Sequence, residues 1–231
     1  MKGLKVVLFL IFLSTSLMTF SQTLLTDSFN NLSNWAAVSG NWKVMNGRVV
    51  QTDMNQKMAM LTARVPQSGK ILIEFDVEYV GGGEDDYAGF GFHICVDNPS
   101  KSRSWGNGKS LLGWVTWDPN VYGWPGAFIQ VYQSKGPVEM GLYPQGNILK
   151  DGDQYPVKEE YLKYEYLNYN IPIKMMIDTK TGMGRFYDPF DPERFFYSFD
   201  LGAPIPAGNN FTFRMNSVSL SIDNLKISKV Q

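Results

Sequence analysis

Residues 71–80 read Ile-Leu-Ile-Glu-Phe-Asp-Val-Glu-Tyr-Val, and this alternation constrains the fold more than any other stretch of the chain. Successive side chains of an extended strand point to opposite faces. Ile71, Ile73, Phe75, Val77 and Tyr79 therefore fall on one side, and Leu72, Glu74, Asp76 and Glu78 on the other. A strand with one apolar and one wet face belongs to an antiparallel sheet whose apolar side is covered by a second layer. Gly81-Gly82-Gly83 ends the run. With 22 glycines, 12 prolines and 14% aromatic residues, the composition suits many short strands joined by tight turns.

Further strands are expected over 88–96, 128–133, 171–177, 183–187, 195–199 and 210–215. Asp178-Thr179-Lys180-Thr181-Gly182, polar and ended by glycine, has the length of a hairpin connection between two of them. Residues 157–167 form the one expected helix, short and weakly periodic. The last strand carries an irregularity. Val218, Leu220 and Ile222 alternate on even numbers, Leu225 and Ile227 on odd ones, so the inward phase slips at Asp223-Asn224. A β-bulge at that point would return both sets to the core.

Residues 1–21 read as a secretory signal peptide, with Lys2 and Lys5 ahead of an apolar stretch over 6–13 and Thr19-Phe20-Ser21 before the cut. The mature chain would begin at Gln22, and no cysteine stands at the cleavage point to carry a lipid anchor. No later stretch is apolar for long enough to form a membrane helix. A secreted or periplasmic destination is expected. Residues 22–231 fit a single β-sandwich domain, a size that one core can serve. Cys95 is the single cysteine, so no internal disulfide can form. Basic and acidic residues nearly cancel, 21 against 22, and no basic patch marks a nucleic-acid partner.

The two ends of the mature chain carry matching motifs. Near the start stand Asp27-Ser28-Phe29, Trp35 and Gly40-Asn41-Trp42-Lys43-Val44-Met45-Asn46-Gly47-Arg48-Val49, and near the end Ile222-Asp223-Asn224-Leu225-Lys226-Ile227. This combination resembles the concanavalin A-like lectin/glucanase superfamily, particularly its laminin-G-like and keto-disaccharide hydrolase-like members. The resemblance spans the mature chain and implies an all-β, two-sheet antiparallel jelly roll. Its motifs specify a fold rather than an activity.

Four constellations bear on chemistry. Glu74, Asp76 and Glu78, spaced by two, share one strand face, where mutual repulsion can split carboxylate pKa values. Laminarinase-type enzymes of the same superfamily carry such a triad as nucleophile, tuning Asp and acid/base. Here it lies early in the chain instead of in the middle, and alternating acids also simply solvate the outer face of a strand. Trp105, Trp114, Trp117, Tyr122 and Trp124 crowd a glycine-broken segment. Such rings either stack on sugar rings or pack beneath a long loop. Asp27 and Asp223 match in outline the positions where related modules hold a structural calcium between first and last strands, and the alternative is that Asp223 caps the bulge. Asp151-Gly152-Asp153 lacks the downstream ligands of a calcium loop. His93, the single histidine, and Cys95 would share a strand face, roughly 6 to 7 Å apart by strand rise, too far for direct proton transfer.

The reading is a secreted, non-catalytic module that binds a carbohydrate or glycan-bearing surface, with no cofactor beyond a possible structural Ca2+. The competing readings are a glycoside hydrolase using Glu74, Asp76 and Glu78, and a structural or adhesive envelope protein without a small ligand.

Overall fold

The structure is a computed structural model, described here for residues 21–83, 88–116, 128–136, 140–142, 170–189 and 191–231. The expected helix at 157–167 and residues 1–20 of the expected signal peptide lie outside these residues. The described residues form fifteen strands and no helix. They are β1 Gln22–Asp27, β2 Trp35–Ser39, β3 Trp42–Met45, β4 Arg48–Gln51, β5 Ala59–Gln67, β6 Lys70–Gly82, β7 Gly89–Val96 and β8 Lys109–Thr116. There follow β9 Phe128–Lys135, β10 Met140–Leu142, β11 Ile171–Asp178, β12 Met183–Asp188, β13 Asp191–Asp200, β14 Gly208–Asn216 and β15 Val218–Val230.

Two antiparallel sheets result. One has the order β13-β12-β11-β6-β15-β4-β3, with β1 joined to β15, and the other the order β10-β9-β8-β7-β14-β5-β2. The apolar face of β6 turns inward as its alternation requires, with Ile71, Ile73, Phe75 and Val77 buried. Phe92, Phe211 and Phe213 of the facing sheet meet it, and the Phe75 ring lies 5.1 Å from Phe213 and 5.4 Å from Phe92, both edge-on. Edge-to-face geometry favours such pairs beyond the area they bury. Trp42 and Ile222 belong to the same continuous hydrophobic cluster.

Two local signals set the chain ends. Asn46-Gly47, with φ of +54° and +74°, turns β3 into β4 with the backbone twist that hairpins prefer. The bulge sits where the phase slip put it. Asn224 takes φ +53° and the register of β15 against β6 shifts between Asp223 and Lys226, leaving Ile222, Leu225 and Ile227 all buried. On its other edge β15 pairs with β4 up to Ile222 and with β1 from Leu225 onward, so the bulge is also the handover between two neighbours. First and last strands lie side by side.

A second bulge corrects one expectation. Cys95 has φ +55° and β7 slips against β14 beside it. Cys95 therefore joins the core cluster while His93 hydrogen-bonds Ser110 within a polar network, so the two do not share a face. Burial pushes the Cys95 thiol up to about 12, against a backbone hydrogen bond at Gly208, and at neutral pH it is an inert thiol.

Candidate functional site

The face of the β10-to-β2 sheet that points away from the core is built in cross-strand rows. Gln130 on β9, Trp114 on β8, Gly91 on β7, Arg214 on β14 and Met60 on β5 stand opposite one another in turn. The adjacent row is Tyr132, Leu112, His93, Thr212 and Thr62. Alternation places these polar groups together, because their sequence neighbours Val131, Ile94, Phe211 and Phe213 fill the core.

Trp114 is 7% exposed and its indole lies across β7. A Cβ added at Gly91 or Gly89 would come within 2.9 or 2.7 Å of that ring, so the two glycines are the bed on which it rests. The Arg214 guanidinium carbon stands 5.8 Å from the Trp114 ring centre and 5.8 Å from that of Trp105, within cation–π range of both. Arg214 also donates to the Trp105 carbonyl. Burial lowers the Arg214 pKa to about 10, partly opposed by the Tyr132 phenol, so it stays a cation. Tyr132 Oη in turn donates to Gln130 Oε1 at 2.8 Å. Trp105, in the connection from β7 to β8, is 51% exposed.

That connection is held by its own bonds. Ser104 Oγ donates to the Gly106 carbonyl at 2.7 Å and the Asn107 backbone N–H to Ser134 Oγ at 2.8 Å. Asn107 Nδ2 donates to Thr212 Oγ1 at 2.9 Å, which pairs with Thr62 Oγ1 at 2.8 Å. Ser110 Oγ gives its one proton to the Asn107 carbonyl at 3.0 Å and so faces His93 Nδ1, 2.9 Å away, with a lone pair. Nδ1 therefore carries the proton and Nε2 is a bare acceptor, with no hydrogen-bond partner among the described residues. Burial, and after it the charge of Arg214, hold the His93 pKa well below the ordinary histidine value, so the ring is neutral.

The expected acidic triad lies on the other sheet. Glu74, Asp76 and Glu78 line the half-buried outward side of β6, opposite the core. Glu74 stands across from Lys174 and Lys226. Glu78 is 3.4 Å from the Arg48 guanidinium, and Asp76 accepts from Asn224 Nδ2 at 2.8 Å. Arg48 also reaches Asp223 at 3.9 Å and donates to Ser221 Oγ at 2.8 Å. Each acid thus faces a cation or an amide.

Asp27 and Asp223 come close in register, since Asp27 pairs with Leu225. Asp27 spends its oxygens on the Phe29 N–H and on Trp35 Nε1, both at 2.7 Å. These bonds fix Phe29, at φ +48°, and a buried indole. Among the described residues no group of three or more His, Cys, Asp or Glu could hold a metal ion. Trp117, Tyr122 and Trp124 lie outside the described residues. Of the aromatic segment the structure thus brings Trp105 and Trp114 together, one exposed and one buried, through Arg214. Arg214, Gln130, Tyr132, Thr212 and Thr62 had no place in the sequence reading. The signal for Thr212 and Arg214 was the alternation of Phe211-Thr212-Phe213-Arg214-Met215-Asn216, which sets polar residues on one face of β14.

No protein-family model and no curated protein sequence matches the chain. Solved structures do. A carbohydrate-binding module, CBM66 from Bacillus subtilis, aligns at 10% identity with a TM-score of 0.57, covering 86% of this chain and 98% of that one. A legume lectin-like domain from Entamoeba histolytica aligns at 10% identity and 0.55, over 90% and 98%. A Bacillus subtilis protein with a galectin-like fold aligns at 12% and 0.55, over 92% and 99%. At these identities the likeness is one of fold: the chain is an all-β, two-sheet antiparallel jelly roll, similar in architecture to these galectin-like and legume lectin-like domains.

Proposed function

We propose that this protein is an exported, non-catalytic carbohydrate-binding module whose site is the outward face of the β10-to-β2 sheet at Trp105. The observation that carries the reading is a half-exposed indole fixed in place by a buried cation, which is itself backed by a second indole. A flat, immobilised ring suits the apolar face of a sugar, and pre-organisation lowers the cost of ordering on binding. Arg214, Gln130 and His93 in the adjoining rows are buried and hold the platform from beneath, Arg214 through the Trp105 carbonyl. The printed descriptions of structural neighbours, a carbohydrate-binding module and a lectin-like domain among them, support the same class of ligand. The leader-like residues 1–21 support export. The engagement of Glu78 by Arg48 and of Asp76 by Asn224 supports a structural role for the acidic strand.

The test is a glycan array followed by titration calorimetry and tryptophan fluorescence. Saccharide binding that shifts the fluorescence and is lost in Trp105→Ala is the expected result. An array without hits, or hits indifferent to Trp105, would remove this reading and favour an adhesive or structural role.

A further inference from the structure

The outward face of the β13-to-β3 sheet, on the side of the sandwich away from Trp105, carries a group of apolar residues. On β12 the inward positions are Gly184 and Phe186, so Met183, Arg185 and Tyr187 point out. Across the sheet Met183 stands between Asp178 and Asp200, Arg185 between Met176 and Ser198, and Tyr187 beside Phe195. Leu72 of β6 continues the middle row next to Met176. Met183 is 51% exposed and Phe195 46%, with Leu72, Met176 and Tyr187 half-buried among them. Single apolar residues are ordinary on a surface, whereas a contiguous group marks an interaction site.

The cations of this face lie over its rings. The Arg185 guanidinium carbon is 4.9 Å from the centre of Phe195, and Lys174 Nζ is 4.6 Å from that of Tyr187. Arg185 has no carboxylate within ion-pair distance among the described residues. Stacking leaves the N–H edge of a planar guanidinium open to an acid and limits the freedom that binding would have to remove. The acids of the adjoining row are half engaged. Asp178 Oδ1 accepts the Lys180 N–H at 2.9 Å and Asp200 Oδ1 the Gly202 N–H at 2.8 Å, and the other oxygen of each has no hydrogen-bond partner among the described residues.

In these rows Lys70, Lys174 and Arg185 stand against Glu74, Asp178 and Asp200, so the face has no net charge to attract a polyanion. It holds both halves of a self-complementary pattern instead. Aromatic residues, Met and Arg are also the types that concentrate at protein interfaces. An isologous contact sets a patch against its own copy. With the two-fold axis lying between the two faces and crossing β12 at Gly184, the Arg185 row of one copy meets the Met183 row of the other. We infer that this face is the interface of a homodimer, packed through β11, β12 and β13, with Arg185 of each copy seated between Asp178 and Asp200 of the second. Both Trp105 rings then lie on the outer sides of the dimer, where two linked sites gain avidity on a repetitive surface. The contact itself stands whether or not Trp105 binds a glycan.

Sedimentation equilibrium at micromolar concentration tests this. Wild type is expected at twice the chain mass. Arg185→Glu alone, and Asp178→Lys with Asp200→Lys, each bring like charges together and should raise the dimer dissociation constant by more than about 100-fold. An equimolar mixture of these two variants should regain the dimer mass, because the reversed charges complement each other. Asp178→Asn with Asp200→Asn keeps both turn acceptors and should weaken the dimer about tenfold, which tests the charge even where the lysine variant fails to fold. A monomeric wild type overturns the inference and leaves the face to a different protein. A dimer that survives Arg185→Glu, unchanged dimerisation in the asparagine variant, or a mixture of two folded variants that stays monomeric overturns it as well.

Discussion

Trp105→Ala and Trp114→Ala should separate recognition from folding, because the two rings sit at the same distance from one guanidinium with very different exposure. A fully enclosed tryptophan removes about 150 to 250 Å² from water. Trp105 keeps 51% of its surface exposed. Removing it forfeits about 100 Å² of contact, up to ~2.5 kcal/mol at 25 cal/mol per Å², reduced further by compactness of the unfolded chain. Its exposed cation–π contact adds about 0.5 kcal/mol. The net cost to stability should be about 1 to 2 kcal/mol. The backbone carbonyl that receives Arg214 remains in the variant, so the rest of the site keeps its geometry. Glycan affinity should nevertheless fall by about 1 to 3 kcal/mol, roughly 5- to 150-fold, because a stacking ring contributes to the complex more than to the fold. Trp114→Ala, at 7% exposure, uncovers Gly89 and Gly91 and removes one of the two rings beside Arg214. It should cost about 3 to 5 kcal/mol of stability. Denaturant unfolding gives the first quantity for each variant and calorimetry with an array-identified glycan gives the second. Full glycan affinity in Trp105→Ala, or a stability loss there as large as in Trp114→Ala, would refute the reasoning.

Buried His93 makes stability depend on pH. Its pKa is depressed in the folded state and ordinary in the unfolded one, so between the two values the unfolded chain binds the extra proton. Its contribution is complete above about pH 6.5 and is lost as pH falls from there toward the folded value, by at most about 1.4 kcal/mol per pH unit. Unfolding curves of wild type and His93→Gln should converge at acid pH, and parallel pH dependences would contradict this. Asn224→Val forces a β-branched residue into φ +53° and should cost about 1 to 3 kcal/mol, whereas Asn224→Gly should stay within about 0.5 kcal/mol of wild type in denaturant unfolding. Glu74→Gln combined with Glu78→Gln should leave glycan affinity unchanged. Hydrolysis of a β-glucan by the wild type that disappears in this double variant would instead make the acidic strand catalytic.

The strands and their covered faces were legible in the sequence because strand periodicity is local. The alternation of 71–80 placed β6 and its buried side, and the change of phase at Asp223-Asn224 located the bulge. The turn at Asn46-Gly47 is of the same kind, a conformational demand met by adjacent residues. The strand at Lys109–Thr116 was hidden, because its glycine and tryptophan read as loop chemistry. What Gly113 and Gly91 do is set by rings on other strands, not by their own neighbours in the chain.

The site belongs to the tertiary structure for the same reason. Trp114 and Arg214 meet only because β7 lies between their strands and presents Gly91 to both, an arrangement fixed by register among segments far apart in the chain. Which of two tryptophans is buried, which face of β14 carries the cation, and that the acidic strand faces Arg48 and Asn224 all follow from that register. The sequence by itself determined the class of fold and the faces of its clearest strands, since a strand's periodicity depends only on its own residues. Tertiary structure alone decided which polar groups share a surface, because sheet order and register are paid for by contacts that no local window contains.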